Sequence, residues 1–156
     1  VRAYRPDPVA PEQLARLRQA VRQAPTACNR QPFRFLEVTS PEKRAAVASC
    51  YPRNWLAQAP MIVVGVGLVA EAWRRPNSGR SIHEVDAAIA MEHLVLAATA
   101  EGLATCWICA FDQVELQKAL GLPDEEVPVA MTPLGYAAEE PAAVPRKAVD
   151  ELFFPC

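Results

Sequence analysis

The feature that most constrains this chain is a helix that is apolar almost all the way round. Ser81, with Glu84 three residues on, reads as a capping box, and the helix it starts is expected to run to Glu101, with Gly102 placed to terminate it. Ile82, Val85, Ala88, Ile89, Met91, Leu94, Val95, Leu96, Ala97 and Ala98 cover most of its circumference, so it cannot lie on a solvated surface. Two arrangements satisfy that requirement. Either the chain wraps the helix by itself, or one face packs on a sheet and the other meets a second copy in a symmetric dimer. At 156 residues the chain is near the size of one compact domain, and a domain this small rarely encloses a helix alone. The dimer is therefore the economical inference, with residues 1–156 read as one domain.

The remaining elements follow from periodicity and punctuation. Pro11 to Ala24 carries Leu14, Leu17, Val21 and Ala24 at helical spacing, and Pro25 ends that helix. Phe33 to Thr39 reads as a strand, after which Ser40-Pro41 supplies an N-cap and a proline at the first position of a short helix to about Ser49. Met61 to Leu68 is a β-branched run with little alternation, as expected of a strand buried on both faces in mid-sheet. Arg74 to Gly79 is a turn-rich excursion. Ala104 to Cys109 is expected as a third strand, and Asp112 with Glu115 opens another helix that stops at Gly121. Val127 to Tyr136 is the fourth strand, with Pro128 and Pro133 placing part of it at an edge or bulge. The tail from Ala137 is rich in proline and alanine and reads as an arm crossing a surface. Its adjacent Phe153 and Phe154 require a partner.

Composition excludes several function classes. Net charge is −2 with acids and bases interspersed, so no basic stripe suggests nucleic acid and no polybasic run suggests an anionic membrane. The longest apolar run, Met61 to Ala70, is too short to cross a bilayer, and no leader pattern follows Val1. Five cysteines, an odd count in a chain that can bury its own core, point to a reducing compartment, with the cytoplasm expected. Cys106 and Cys109 form a C-x-x-C, but residues three apart in a strand point to opposite faces and no second pair exists, so no metal is expected. Gly65-x-Gly67-x-x-Ala70 copies a dinucleotide fingerprint superficially. Its glycines fall inside a strand, however, with too little chain before Pro76 for the required helix.

Three segments taken together resemble the nitroreductase family. They are Ala24-Pro25-Thr26-Ala27-Cys28-Asn29-Arg30-Gln31-Pro32-Phe33-Arg34-Phe35, then Gly102 to Asp112 around Thr105-Cys106-Trp107-Ile108-Cys109-Ala110, then Pro133-Leu134-Gly135-Tyr136 followed by Pro145-Arg146-Lys147 and Glu151-Leu152. Each is modest alone, but their order and spacing make the combination specific, and the resemblance extends through essentially the whole chain. It implies an α+β fold with a central mixed sheet of about four strands flanked by helices, an intertwined homodimer, and FMN as cofactor with NADH or NADPH as reductant. It further implies a ping-pong reduction of a small acceptor such as a nitroaromatic or a quinone, in which the protein supplies position and charge and no covalent nucleophile.

The same resemblance assigns residues. Arg146 and Lys147 match cations at the FMN phosphate, where an arginine fork is well suited to a dianion. Arg2 matches a cation near the flavin pyrimidine ring, where fixed positive charge favours the reduced cofactor. Pro25, Thr26, Ala27 and Asn29 match a loop facing the flavin of the partner subunit, and Trp107, Ile108, Cys109 and Ala110 match the strand end whose amides face flavin N5. Two positions depart from the pattern. Cys109 stands where glycine or glutamate is common, and Arg53 stands where an amide side chain often touches the flavin edge. A further basic cluster of the family lies just ahead of the position matching Arg2 and would precede Val1. Composition alone reads Arg2 as a frayed terminal residue, Pro25 to Asn29 as a polar turn and Arg146-Lys147 as a solvated basic tail. Relatives of the fold also carry out dehalogenation, ring dehydrogenation or flavin fragmentation, and a flavin-binding dimer without turnover is the alternative from another class. The short excursion after the second strand leaves little chain to roof the site, so an open pocket is expected.

Overall fold

A computed structural model describes residues 1–155. Four helices, α1 (Pro11–Arg22), α2 (Pro41–Ser49), α3 (His83–Ala100) and α4 (Gln113–Leu120), surround a sheet of four strands, β1 (Phe33–Val38), β2 (Met61–Leu68), β3 (Ala104–Thr105) and β4 (Glu126–Gly135). Strand order is β1-β2-β4-β3. The fold is α+β, but the sheet is not mixed: all three pairings are antiparallel. The reason is topological. Helix α3 joins β2 to β3, which run in the same direction, and β4 inserts between them so that the two never pair.

β2 is buried along its whole length, and its alternation sorts the core into two layers. Met61 and Val63 pack with Leu17, Met91, Leu94 and Leu134 beneath α1 and α3. Ile62, Val64 and Val66 pack with Val47, Leu56, Leu116 and Met131 beneath α2 and α4. Each such aliphatic side chain contributes about 1.5–3 kcal/mol by leaving water. The two glycines of β2 lie on the α3 side and serve close packing. A Cβ on Gly65 would stand 3.1 Å from Met91 Cε, and one on Gly67 would stand 2.6 Å from His83 Cδ2.

Capping follows sequence at most ends. Ser40 Oγ accepts from the Lys43 amide, Asp112 Oδ1 accepts from the Glu115 amide, and Gly102 and Gly121 close their helices at φ 72° and 71°. The expected capping box at Ser81 does not form. Ser81 is bridged to Arg74 and its hydroxyl accepts from the His83 amide, so α3 starts two residues later, at His83. α1 likewise ends at Arg22, two residues before Ala24.

The third strand is shorter than expected, ending at Thr105. Its next partner on β4 would be Pro133, which has no N–H, and the Cys106 amide turns instead to Thr132 Oγ1 at 3.0 Å. Pairing resumes only at Ile108, which exchanges both backbone hydrogen bonds with Met131. Pro128 sits at a bulge, where the β2–β4 register shifts between Gly65 and Val66.

Helix α3 is half enclosed. Ala87, Ala90, Met91, Leu94 and Ala98 are buried, while Val85 and Leu96 are 49% and 61% exposed. The arm, too, finds no cover on its own chain, since Phe153 and Phe154 are 73% and 77% exposed. Beyond Glu139 no described residue of the arm hydrogen-bonds to the body, and its only structure is a short 3₁₀ turn at Val149–Glu151.

Candidate functional site

The residues singled out by sequence fall into three groups. The first runs along the β3 side of the sheet, from beyond the Met61 end of β2, where the N-terminal segment lies, to mid-strand, where Ile108 faces Met131 and Met131 faces Val64. Tyr4 bridges Ala137, the Arg5 amide donates to Tyr136 and the Ala138 amide donates to Ala3, so the N-terminal segment lies along the continuation of β4. Arg2 is thereby fixed rather than frayed, and its amide donates to Glu139 Oε1 at 2.9 Å. Val1, Tyr4, Trp55 and Ala104 pack together, and Trp55 also touches the cluster containing Cys106 and Ile108. Arg53 opens the 3₁₀ turn that carries Trp55 and is exposed. Arg2, Arg53 and Trp107–Ala110 therefore line the β3 edge of the sheet from its Met61 corner to mid-strand, with Trp55 packed against both the Tyr4 and the Ile108 clusters.

This edge offers unspent donors. Ile108 faces Met131, so alternation turns the amides of Trp107 and Cys109 away from the sheet. The amides of Trp107, Cys109 and Ala110 donate to no described residue, and all three residues are exposed. The guanidinium groups of Arg2 and Arg53 form no ion pair among the described residues, whereas Arg16, Arg18 and Arg34 are held by Glu101, Glu37 and Glu126. Burial, with a smaller contribution from Cys106, pushes the Tyr4 hydroxyl far above the usual phenol range, while nearby Arg2 pulls the other way. Tyr4 thus stays a proton donor, and it donates to the Val1 carbonyl at 3.0 Å. Trp107 Nε1 donates to Cys109 Sγ at 3.0 Å, which orients the indole at the rim.

The second group, Pro25, Thr26, Ala27 and Asn29, occupies the opposite corner. The loop leads into β1, and the Leu68 amide at the far end of β2 donates to Pro32. Cys28, Asn29 and Gln31 adopt φ of 51°, 51° and 52°, and the loop is braced by Thr26, whose Oγ1 accepts from the Gln31 amide. The excursion at residues 69–82 also lies here, with Arg30 donating to the carbonyls of Glu71 and Ala72. Ile108 stands level with Met131 and Val64, only four residues from Leu68, so what separates the two groups is the width of the sheet, with β4 and β2 between β3 and β1, about 14 Å in all. The third group, Arg146 and Lys147, is exposed on the arm and makes no ion pair or hydrogen bond with another described residue.

One residue of this region was not singled out from sequence. Asp86 is 2% exposed on α3, and its Oδ1 accepts from the Ala27 amide at 3.0 Å. The signal available was an acid standing at the spacing of the buried stripe. Among the described residues no three His, Cys, Asp or Glu side chains gather as a metal site. Cys106 and Cys109 are free thiols flanking the break in pairing rather than members of one strand, as Cys28 and Cys50 are free elsewhere. Among the described residues no helix is long and apolar enough to cross a membrane.

The chain is thus an antiparallel sheet with helices on both faces, unspent amides and cations along one edge and a tightly turned loop beyond the other. Comparison with known proteins names it: the nitroreductase family model matches residues 1–52 and 48–136, and the chain belongs to that family. An NADH dehydrogenase of Thermus thermophilus is 28% identical, the match covering 90% of this chain and 83% of that protein. An FMN reductase (NAD(P)H) of Bacillus subtilis is 28% identical over 94% of this chain and 65% of its own length. A nitroreductase family protein of Clostridium difficile superposes with a TM-score of 0.91 at 27% identity, covering 98% of this chain and 90% of that one. Another, from Clostridium novyi, has 32% identity and a TM-score of 0.81, covering 97% and 84%.

Proposed function

We propose that this chain, an FMN-dependent NAD(P)H oxidoreductase of the nitroreductase type, reduces a small acceptor such as a nitroaromatic or quinone by a ping-pong sequence, as a cytoplasmic homodimer of one domain per subunit. The observation that carries this reading is the separation of the open edge from the turned loop. The amides of Trp107–Ala110 lie along the β3 edge and the turned loop leads into β1 at the other, with β4 and β2 between them, so a site that draws on both takes the first from one copy and the second from another. The exposed apolar stripe of α3, with Val85 and Leu96, supplies a surface on which two copies can meet.

The residues present suit the cofactor. The outward amide of Cys109 and the unpaired amide of Ala110 offer donors to the ring edge, and any residue except proline at position 109 keeps that donor. Arg2 and Arg53, unpaired at the rim, are free to favour negative charge, and Arg146 and Lys147 on the arm are free to hold a phosphate dianion. When bound, FMN supplies the chemistry that the side chains lack, taking a hydride from the nicotinamide and passing reducing equivalents to the acceptor. The loop Pro25, Thr26, Ala27 and Asn29 of a second copy closes the far wall. Trp107, held by its bond to Cys109, limits what enters beside it.

The test is direct. Purified full-length protein is expected to be yellow, to release FMN on denaturation, to sediment as a dimer and to consume NADH faster when a nitroaromatic is added. A colourless preparation that takes up no FMN removes the proposal. A fully loaded dimer that leaves NADH untouched redirects it to another flavin reaction.

A further inference from the structure

Helix α3 carries a carboxylate where its packing calls for an apolar side chain. Asp86 is 2% exposed in the stripe that also buries Ala87, Ala90 and Met91. Burying an unpaired carboxylate costs several kcal/mol, and no cation among the described residues pairs with it. Its position near the start of α3, where the helix dipole favours negative charge, offsets part of that cost. Among the described residues, the one hydrogen bond its side chain accepts comes from the Ala27 amide, 59 residues earlier, and Oδ2 has no partner.

The Ala27 amide belongs to the loop with three left-handed non-glycine residues, Cys28, Asn29 and Gln31. Such residues cost on the order of 1 kcal/mol each and persist only where the surroundings hold them. Most of the braces are internal: Thr26 O accepts from the Asn29 amide, Ala27 O from the Arg30 amide and Thr26 Oγ1 from the Gln31 amide. Asp86 ties that strained backbone to α3. We infer that Asp86 is a positioning residue for the cofactor, fixing the backbone of Ala27 to Asn29 so that the loop meets the flavin of a second copy. The inference rests on the reading of that loop as a flavin contact.

A carboxylate kept for folding and one kept for positioning respond differently to removal. The first lowers stability; the second lowers cofactor affinity while the fold, relieved of a buried charge, holds. The test uses the full-length dimer, stripped of FMN and titrated with it, reading flavin fluorescence, the visible circular dichroism of the bound flavin and the melting temperature. Asp86→Ala is expected to raise the FMN dissociation constant about tenfold, the size of one lost charge-assisted hydrogen bond, and to alter the visible dichroism, with the apoprotein melting within a few degrees of wild type. Asp86→Asn, which keeps the acceptor for Ala27, is expected to stay within about threefold. Ala27→Pro removes the donor instead, at the first position of a 3₁₀ turn where proline fits. It should match Asp86→Ala, and the double variant should be no worse than either.

Wild-type affinity in Asp86→Ala, equal damage in Asp86→Asn, or an Asp86→Ala protein that unfolds while Ala27→Pro binds FMN normally would each overturn the inference. Asn29→Ala separates it from its foundation. If Asn29→Ala weakens FMN binding and Asp86→Ala does not, only the role of Asp86 falls. If Asn29→Ala leaves binding untouched, the loop does not face the flavin and both readings fall.

Discussion

The β3 edge of the sheet, which carries Arg2 and Trp107–Ala110, is open because backbone pairs are missing, whereas the corner that carries Pro25–Gln31 is closed by extra ones. At the first, Pro133 cannot donate, β3 stops at Thr105 and a row of amides is left facing outward. At the second, Thr26, Asp86 and Arg30 supply hydrogen bonds that hold three residues in a conformation they disfavour. The edge offers donors and charge, and the corner offers shape. The difference teaches why neither is a site alone: an anionic planar cofactor needs both, and the fold keeps β2 and β4 between them.

Substitutions can break this division of labour or sharpen it. The largest effect is expected from Leu96→Asp, which puts a charge on the exposed apolar stripe of α3. Burial of that charge between two copies should weaken dimerisation about 100-fold, and FMN should be lost with it, as sedimentation velocity at 280 and 450 nm would show. A monomer that retained FMN would break the comparison outright.

Gly67→Ala acts at the closed corner alone. Its new methyl meets the His83 ring, and overpacking of that kind costs about 1–3 kcal/mol, seen as a melting temperature several degrees lower. Arg2→Ala acts at the open edge alone. It should weaken FMN binding about tenfold by fluorescence titration while leaving the melting temperature in place, because the side chain is exposed and carries no ion pair.

The smallest effect concerns pH. Burial pushes the His83 imidazole below its ordinary 6.5, with Glu84 opposing and Arg74 and Arg80 adding to the shift. The unfolded chain therefore takes up a proton first as pH falls through about 6.5, so this contribution to stability is present above that pH and is lost progressively below it. Melting curves at pH 8 and pH 5 should show a smaller drop for His83→Asn than for wild type. An equal drop would assign the acid sensitivity elsewhere.

Much of the architecture was legible in residue order. Met61 to Leu68 reads as a doubly buried strand because neither parity of its side chains is polar, and it is one. Ser40-Pro41 and Asp112 with Gly121 mark helix ends through local hydrogen bonds that need no tertiary context. Ser81 failed as a cap because a bridge to Arg74 engaged it first. The third strand failed because its partner position on another segment is a proline, which the segment itself cannot reveal. Of the candidate site, Arg2, Arg53 and Trp107–Ala110 were named through resemblance alone, and only the fold shows that they lie along one edge of the sheet. Asp86 stood at the spacing of the buried stripe, but what it holds was not legible because its partner, the Ala27 amide, lies 59 residues away in sequence.

By itself the sequence determined the elements, the two-faced burial of β2 and the excess of apolar surface on α3, since periodicity and capping are local properties of a chain. Only the tertiary structure decided that the loop at Pro25–Gln31 and the amides at Trp107–Ala110 stand apart, and that Asp86 holds the loop. Those facts depend on which strand lies between which others and on how α3 spans the sheet, and no local pattern encodes a distance between segments that meet only through the fold.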